Sequence, residues 1–358
     1  MAELAGGPTA IELPIGEASQ VGEARRAAVQ LGEQVGLGET ERGHLALVAT
    51  EAATNLVRHA RGGVLLLRAL AADAGAASDT PPDGVELLAV DRGPGMGDLP
   101  RHLRDGFSTA GTAGHGLGAM RRLADELDVH SVPDVGTTLV ARVWTAAGRQ
   151  RRQQAVDETG VVCRPIAGET ACGDAWAVAR HGGGTVVMVA DGLGHGPDAA
   201  AAADAAVAVF RRRSQEAPAA ILAHCHGALR ATRGAAVAVA AVDWTARTVR
   251  FAGVGNIAAS LVVPEHGGER GRSFASMNGI VGQQMRTVNE YVQPWPAGAC
   301  LVLHSDGLAT RWRLDAYPGL VARHPALVAG VLWRDFTRGR DDVTVLVARE
   351  SRGLGTRV

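Results

Sequence analysis

Two sets of residues in this chain have types and spacings suited to chemistry. The first begins with Glu51 and Asn55, four apart in EAATN, and continues with Asp91 in DRGPG and Gly114, Gly116 and Gly118 in GHGLG. Residues four apart on a helix share a face, so Glu51 and Asn55 are expected to project together. An amide oxygen can ligate Mg²⁺, and a carboxylate beside it can orient or deprotonate a nucleophile. Asp91, at the end of an apolar run, can accept a hydrogen bond from an exocyclic amine such as that of adenine. Gly93 and Gly95 let backbone approach a ligand closely. A glycine-rich turn entering a helix offers N–H groups and a dipole to phosphates.

The second set is acidic. Gly173-Asp174, Asp191-Gly192, Asp306-Gly307 and Asp341-Asp342 punctuate the second half, most of them after apolar runs. One Asp-Gly pair is an ordinary turn signal. Four such places at the ends of predicted strands form a pattern. Hard cations such as Mg²⁺ and Mn²⁺ prefer carboxylate and water ligands. Two of them bridged by carboxylates can acidify a shared water and stabilise an in-line displacement at phosphorus.

The elements that must position these residues are legible in the hydrophobic periodicity. Helices are predicted over 19–35 and 40–61, the second with Thr40 as N-cap and with Leu45, Val48, Ala52 and Leu56 on one face. Short apolar runs at 64–71 and 85–90 read as buried strands, separated by a Gly/Pro/Asp loop. A helix follows Gly118 and a strand spans 137–144. After 159 strands are predicted at 161–166, 175–180, 185–190, 236–243, 248–252, 258–263, 300–304 and 343–348. Helices are predicted at 198–213, 218–233 and 325–337, and Asp243–Arg247 reads as a hairpin turn. The polar stretch 147–159 (AGRQRRQQAVDET) reads as a linker or connecting helix. The domain expectation is therefore 1–146, a linker at 147–159, and 160–358. Both halves read as α+β: helices against a mostly antiparallel sheet, then two sheets with helices outside.

Composition narrows the chemistry. The 358 residues include 36 Lys+Arg, and every one is arginine. Without lysine there is no P-loop, no eukaryotic-type kinase strand lysine and no Schiff base. A net charge of -1 gives no basic stripe for nucleic acid. The longest uncharged apolar run, 235–242, is too short for a bilayer span, and no signal peptide is visible. Four scattered cysteines without a C-x-x-C pair suit a reducing cytosol. His224-Cys225-His226 has metal-binding residue types, but neighbouring helical side chains point apart.

The ordered boxes EAATN, DRGPG and GHGLG over roughly 10–146 resemble those of the GHKL ATPase family. The run from Asp105 to Gly111 and the later Gly136-Thr137-Thr138 resemble the small serine/threonine kinases of the anti-sigma and stressosome-switch type. That resemblance implies a GHKL (Bergerat) α/β sandwich binding ATP with Mg²⁺. It makes Glu51 the catalytic base, Asn55 the magnesium ligand and Asp91 the adenine reader. Gly93, Gly95, Gly114, Gly116 and Gly118 would line the nucleotide, with Thr137 or Thr138 nearby. From about 160 to 350, ACGDAW, VMVADGLGHG, FAGVGNIAASLV, NGIVG, LVLHSDGLATRW and RDDVTVLVAR resemble the PP2C-type phosphatases, in particular the SpoIIE-like branch.

The second resemblance implies an α-β-β-α sandwich with two Mn²⁺ or Mg²⁺ ions. The implied ligands are Asp174, Asp191, the Gly192 carbonyl, Asp306 and Asp341, with Asp342 the alternative to Asp341. Asp191 and Asp306 would be central to catalysis. His195 is a candidate general acid, and Arg164 a candidate phosphate contact or an exposed strand arginine. Together the resemblances imply a cytoplasmic protein acting on STAS-domain (anti-sigma-factor-antagonist-type) phosphoproteins, with a sigma factor or stressosome complex as further partners. The alternative keeps the phosphatase and makes the first half a nucleotide-dependent binding module.

Overall fold

A computed structural model describes residues 10–70, 81–99, 116–265 and 268–351. These fall into two compact units, 10–155 and 156–351.

In the first unit, strand β1 (Ile11–Ile15) precedes helices α1 (Ala18–Val35) and α2 (Glu39–His59). Strands β2 (Gly63–Leu70) and β3 (Gly84–Val90), helix α3 (Gly116–Leu123), and strands β4 (Glu126–Val132) and β5 (Gly136–Trp144) follow. The strands form one sheet in the order β1-β2-β3-β5-β4, each pair antiparallel. Alternation splits β5 cleanly: Leu139, Ala141 and Val143 join Leu45, Val48, Ala52 and Leu56 of α2 in the core, while Thr138, Val140 and Arg142 face the other side. Helix α2 starts at Glu39 with Gly38 as N-cap, not at Thr40; Glu39 and Glu41 then sit in the first turn, where the helix dipole favours them.

The far face of this sheet carries charge. Arg68, Glu86 and Arg142 lie directly opposite one another on β2, β3 and β5, all at least nine-tenths buried. Glu86 Oε1 accepts from Arg68 at 2.6 Å and Oε2 from Arg142 Nε and Nη2 at 2.8 and 2.6 Å. The segment expected to link the domains is helix α4 (Ala146–Gln154), capped by Thr145 Oγ1, followed by a strand that begins at Asp157. Its Arg152 reaches Glu126, and a Cβ at Gly148 would stand 1.9 Å from the Asp83 carbonyl. So α4 belongs to the first unit.

The second unit contains two five-stranded antiparallel sheets. One has the order β13-β10-β9-β8-β7: β7 (Asp174–His181), β8 (Gly184–Gly192), β9 (Ala235–Asp243), β10 (Thr248–Val254) and β13 (Tyr291–Pro294). The other has the order β12-β11-β14-β15-β6: β6 (Asp157–Arg164), β11 (Ala258–Glu265), β12 (Gly268–Phe274), β14 (Cys300–His304) and β15 (Val343–Glu350). Their inner faces meet in a core that includes Trp176, Val189, Phe251, Leu261, Leu301 and Leu346. Helices α5 (Pro197–Arg213) and α6 (Pro218–Ala228) cover the first sheet, and α7 (Pro325–Phe336) packs on β6 and β15 of the second. The layering is α-β-β-α.

Strand β9 is one Ala/Val run, buried on both faces because a helix layer lies on one side and a sheet on the other. The β9–β10 turn is fastened by Asp243, whose Oδ1 accepts from the N–H groups of Thr245 and Ala246. Helix α6 is shorter than 218–233 and ends in a 3₁₀ turn at Leu229–Ala231. His224, Cys225 and His226 diverge as expected. His224 meets Glu216, Cys225 is buried, and His226 Nδ1 accepts from Gly282 N–H. No helix among the described residues is long and apolar enough to cross a membrane.

Candidate functional sites

The first site lies where α2 passes the ends of β3 and β5. Strand β3, apolar but for Glu86, is buried along its whole length until Asp91 ends it. Asp91 is locked to β5: its N–H donates to the Thr137 carbonyl at 3.0 Å, and its Oδ1 accepts from Thr137 N–H at 3.2 Å. The same oxygen accepts from Gly93 N–H at 2.7 Å, folding DRGPG back over the strand end. A Cβ at Gly93 would stand 2.7 Å from Ala60 Cα. One at Gly95, where φ is +65°, would stand 2.2 Å from the Val132 carbonyl. Both positions therefore require glycine.

Met96 N–H donates to Ser131 Oγ, which also meets Thr137 Oγ1 at 2.9 Å, so the turn is tied to β4 and β5 together. Of the two threonines, Thr137 borders Asp91, while Thr138 is buried on the opposite face.

Glu51 and Asn55 lie half-buried on one face of α2, opposite the first turn of α3. A Cβ at Gly116 would stand 3.5 Å from both Asn55 Oδ1 and Glu51 Oε2. Gly116 thus faces an amide and a carboxylate, a donor set that suits a hydrated Mg²⁺ and a proton acceptor. Gly118 is buried two residues further on in the same helix. Gly114 and the run 105–111 lie outside the described residues.

The second site stands at one end of the α-β-β-α sandwich. Asp174 opens β7 directly opposite Asp191 on β8. From the facing sheet come Asp306, after β14, and Asp341-Asp342, before β15. Ser305 joins the sheets: its Oγ donates to Asp174 Oδ2 at 2.6 Å and accepts from Thr344 N–H at 2.9 Å. Asn256, in the turn after β10, donates from Nδ2 to Asp306 Oδ2 at 2.8 Å. Glycine makes the convergence possible. A Cβ at Gly192 would stand 2.0 Å from the Ala199 carbonyl, and one at Gly307 2.0 Å from that of Asp342.

Asp341 and Asp342 have different work. Asp342 is 3% exposed, and its two oxygens accept from Ile166 and Gly173 N–H groups, each at 2.7 Å. It fastens both ends of the loop that delivers Asp174. Asp341 is half-buried and caps Asp342 N–H through Oδ1 at 2.9 Å.

The carboxylates raise one another's proton affinity. Burial, then the charges of Asp174, Asp306, Asp341 and Asp342, push Asp191 up to about 9. Burial pushes Asp174 well above the usual carboxylate range, partly offset by the Ser305 hydrogen bond. Burial and then Asp341 raise Asp306, and burial raises Asp342 against its two backbone donors. Such a cluster asks for compensating positive charge. Among the described residues no three acidic, histidine or cysteine side chains close around a single point. A cation here would take one or two carboxylates and fill its shell with water, which is how Mg²⁺ is usually held.

His195 is exposed on the turn after β8, with Nδ1 2.9 Å from Glu169 Oε1. Arg164 ends β6 half-buried, opposite Val343. Ser305, Asn256 and Glu169 were not singled out in the sequence. Only Ser305, next to Asp306-Gly307 in HSDG, and Asn256, in GVGN, had motif neighbours to flag them.

Residues 16–144 match the family described as a histidine kinase-like ATPase domain, and residues 181–350 the family described as stage II sporulation protein E (SpoIIE). Over 121 residues the chain is 31% identical to the serine/threonine-protein kinase RsbT of Bacillus subtilis (strain 168), covering 34% of this chain and 86% of that one. Over 143 residues it is 24% identical to the phosphoserine phosphatase RsbX of the same organism, covering 39% and 69%. Among solved structures it is similar to RsbX in complex with magnesium, at 20% identity and a TM-score of 0.47, covering 55% of this chain and 96% of that one. The chain belongs to the histidine kinase-like ATPase family through its first domain, and its second half matches the SpoIIE family over residues 181–350.

Proposed function

We propose that this protein is a metal-dependent serine/threonine phosphatase with an ATP-binding, serine-kinase-like first domain. It acts on STAS-domain, anti-sigma-factor-antagonist-type proteins in a bacterial partner-switching or stress-signalling pathway. The observation that carries this reading is the convergence of Asp174, Asp191, Asp306 and Asp341 from two facing sheets, with burial and mutual repulsion raising Asp174, Asp191 and Asp306. These four and the Gly192 carbonyl would hold two Mn²⁺ or Mg²⁺ ions. Such ions supply an acidified water and positive charge for an in-line displacement at phosphorus. Asp341 is preferred over Asp342 as a ligand because both Asp342 oxygens already accept backbone N–H groups. Asn256 and Ser305 hold Asp306 and Asp174 in place.

In the first domain, Glu51 is the base, Asn55 the Mg²⁺ ligand and Asp91 the adenine reader. Gly93, Gly95, Gly116, Gly118 and Thr137 line the nucleotide. The likeness to a protein named a serine/threonine-protein kinase and to one named a phosphoserine phosphatase supports opposed activities on one kind of substrate. One chain would then set both directions of a switch.

The test uses Asp306→Asn. It should abolish Mn²⁺-dependent release of phosphate from a phosphoserine STAS protein; an unchanged rate overturns the metal site. In that variant, which cannot erase its own product, labelled ATP should mark the unphosphorylated STAS protein, and Glu51→Gln should stop the transfer. ATP binding without transfer selects the binding-module alternative. No ATP binding overturns the nucleotide site.

A further inference from the structure

Beside the acidic site lies a pair of thiols that neither activity uses. Cys163, buried near the end of β6, has its Sγ 3.6 Å from the Sγ of half-buried Cys172. Cys163 Sγ also lies 3.7 Å from the Asp174 carbonyl, so the pair sits directly behind a proposed metal ligand. The other two cysteines, Cys225 and Cys300, are fully buried. We propose that Cys163 and Cys172 are a peroxide-responsive dithiol whose oxidation to a disulfide switches the phosphatase site off. The inhibition rests on the metal-site reading above; the disulfide itself does not.

The step needs a peroxide as oxidant. Cys172, the more accessible thiol, attacks one peroxide oxygen and gives its proton up to the departing oxygen. The O–O bond breaks, the leaving hydroxide takes up the Cys172 proton as a first water, and a sulfenic acid remains on Cys172. Cys163 Sγ then attacks that sulfur. The S–O bond breaks, the Cys163 proton leaves with the hydroxide as a second water, and the S–S bond forms. Two thiols and one hydrogen peroxide give one disulfide and two waters.

The chain has little slack to absorb that bond. A disulfide needs its sulfurs about 2 Å apart, which is well inside the present separation. The segment that must move is pinned on each side. Gly173 N–H donates to Asp342 Oδ2, and its carbonyl accepts from Gly192 N–H at 3.0 Å. A Cβ at Gly173 would already stand 2.7 Å from Asp342 Oδ2 and 2.8 Å from Ala199 Cβ. Drawing Cys172 toward β6 therefore displaces Asp174, two residues on. Cytosolic disulfides are typically transient and sensing, and a half-buried thiol with a buried resolving partner fits that use.

The experiment treats the full chain with hydrogen peroxide, then counts alkylatable thiols, measures intact mass, and assays Mn²⁺-dependent phosphatase activity before and after dithiothreitol. Thiols should fall from four to two, with loss of two hydrogens in mass and a cross-linked peptide joining Cys163 to Cys172. Activity should drop at least about tenfold and return with the reductant. Cys172→Ser should keep its activity through the same treatment, as should Cys163→Ala. Asp306→Asn should still form the disulfide, so a failed metal site and a failed dithiol give different results. Four thiols surviving in the wild-type chain, oxygen gained in place of hydrogen lost, or a disulfide formed without loss of activity would each overturn the proposal.

Discussion

Glu86 in the first domain and Asp191 in the second are both largely buried carboxylates on a sheet, yet their surroundings push them in opposite directions. Burial alone would raise Glu86, but Arg68 and Arg142, each opposite it on a neighbouring strand, outweigh that and hold it below the usual carboxylate range. Asp191 has aspartates where Glu86 has arginines, and is pushed up to about 9. A carboxylate closed off by its own chain's cations is a structural part. One crowded by like charges is a site that something from outside completes.

The pH signs follow. Glu86 is lowered in the folded state, so its contribution is present above its ordinary value near 4.5 and is lost as pH falls through the lower folded value. Asp191 is raised, so its contribution is present below the ordinary value near 3.8 and is lost as pH rises toward about 9. In chelator, the first domain should weaken in acid and the second in base, and Mn²⁺ should abolish only the second effect. Unfolding of each domain followed across pH, with and without metal, checks this.

Replacing the two residues separates the cases most sharply. Asp191→Asn should cut phosphatase turnover on the order of a thousandfold, since several kcal/mol of charge stabilisation is at stake and each tenfold is about 1.4 kcal/mol. The same change should make the metal-free second domain more stable at pH 8, because it removes a repelled charge. Equal or lower stability there would break the comparison. Glu86→Gln should do the reverse: about 3 kcal/mol lost from the first domain, because two guanidiniums remain buried without their partner, and no change in phosphatase rate. Urea unfolding and a phosphatase assay on both variants decide it.

The same contrast explains what was readable in the sequence. Asp174, Asp191 and Asp306 were legible because each interrupts an apolar strand beside glycine, where a solvated turn and a functional carboxylate are the competing explanations. Glu86, Arg68 and Arg142 were not. Each is one charged residue inside an apolar strand, and only the register that sets them side by side reveals a cluster. Asn256 and Ser305 were missed because their roles depend on meeting residues 50 and 131 positions away. Strand β12 (GERGRSF) is polar at both odd and even positions, and β13 and β1 are only four and five residues long, so their periodicity gave no signal. Most helices and the two sheets with helices outside were readable from apolar periodicity, to within a turn at most ends, while the α-β-β-α sandwich as such came with the family resemblance.

Below these effects come residues that only hold a proposed metal ligand in place. Asn256→Ala should lower Mn²⁺ affinity or turnover by about 10- to 100-fold, because partners behind a ligand typically act at that scale. A loss confined to apparent metal affinity, recovered at high Mn²⁺, would show that Asn256 orients Asp306 rather than touching substrate.

The smallest effect should come from the exposed arginines of α4. Arg149 makes a two-point pair with Asp125, at 2.8 and 3.1 Å, and its hydrogen bonds hold its own proton more tightly than usual. Its side chain is 40% exposed, however, so water competes for both charges and salt screens them. Arg149→Ala should cost under about 1 kcal/mol and lose even that at high salt. The seat of α4 is instead its backbone, where Gly148 lies against Asp83 too closely for any side chain. The geometry of Arg149 resembles that of Arg142 on Glu86, so the difference in cost between their alanine variants measures what burial adds to one and the same ion pair. If Arg149→Ala proves as damaging as Glu86→Gln, ion-pair geometry rather than desolvation sets the stability of this domain.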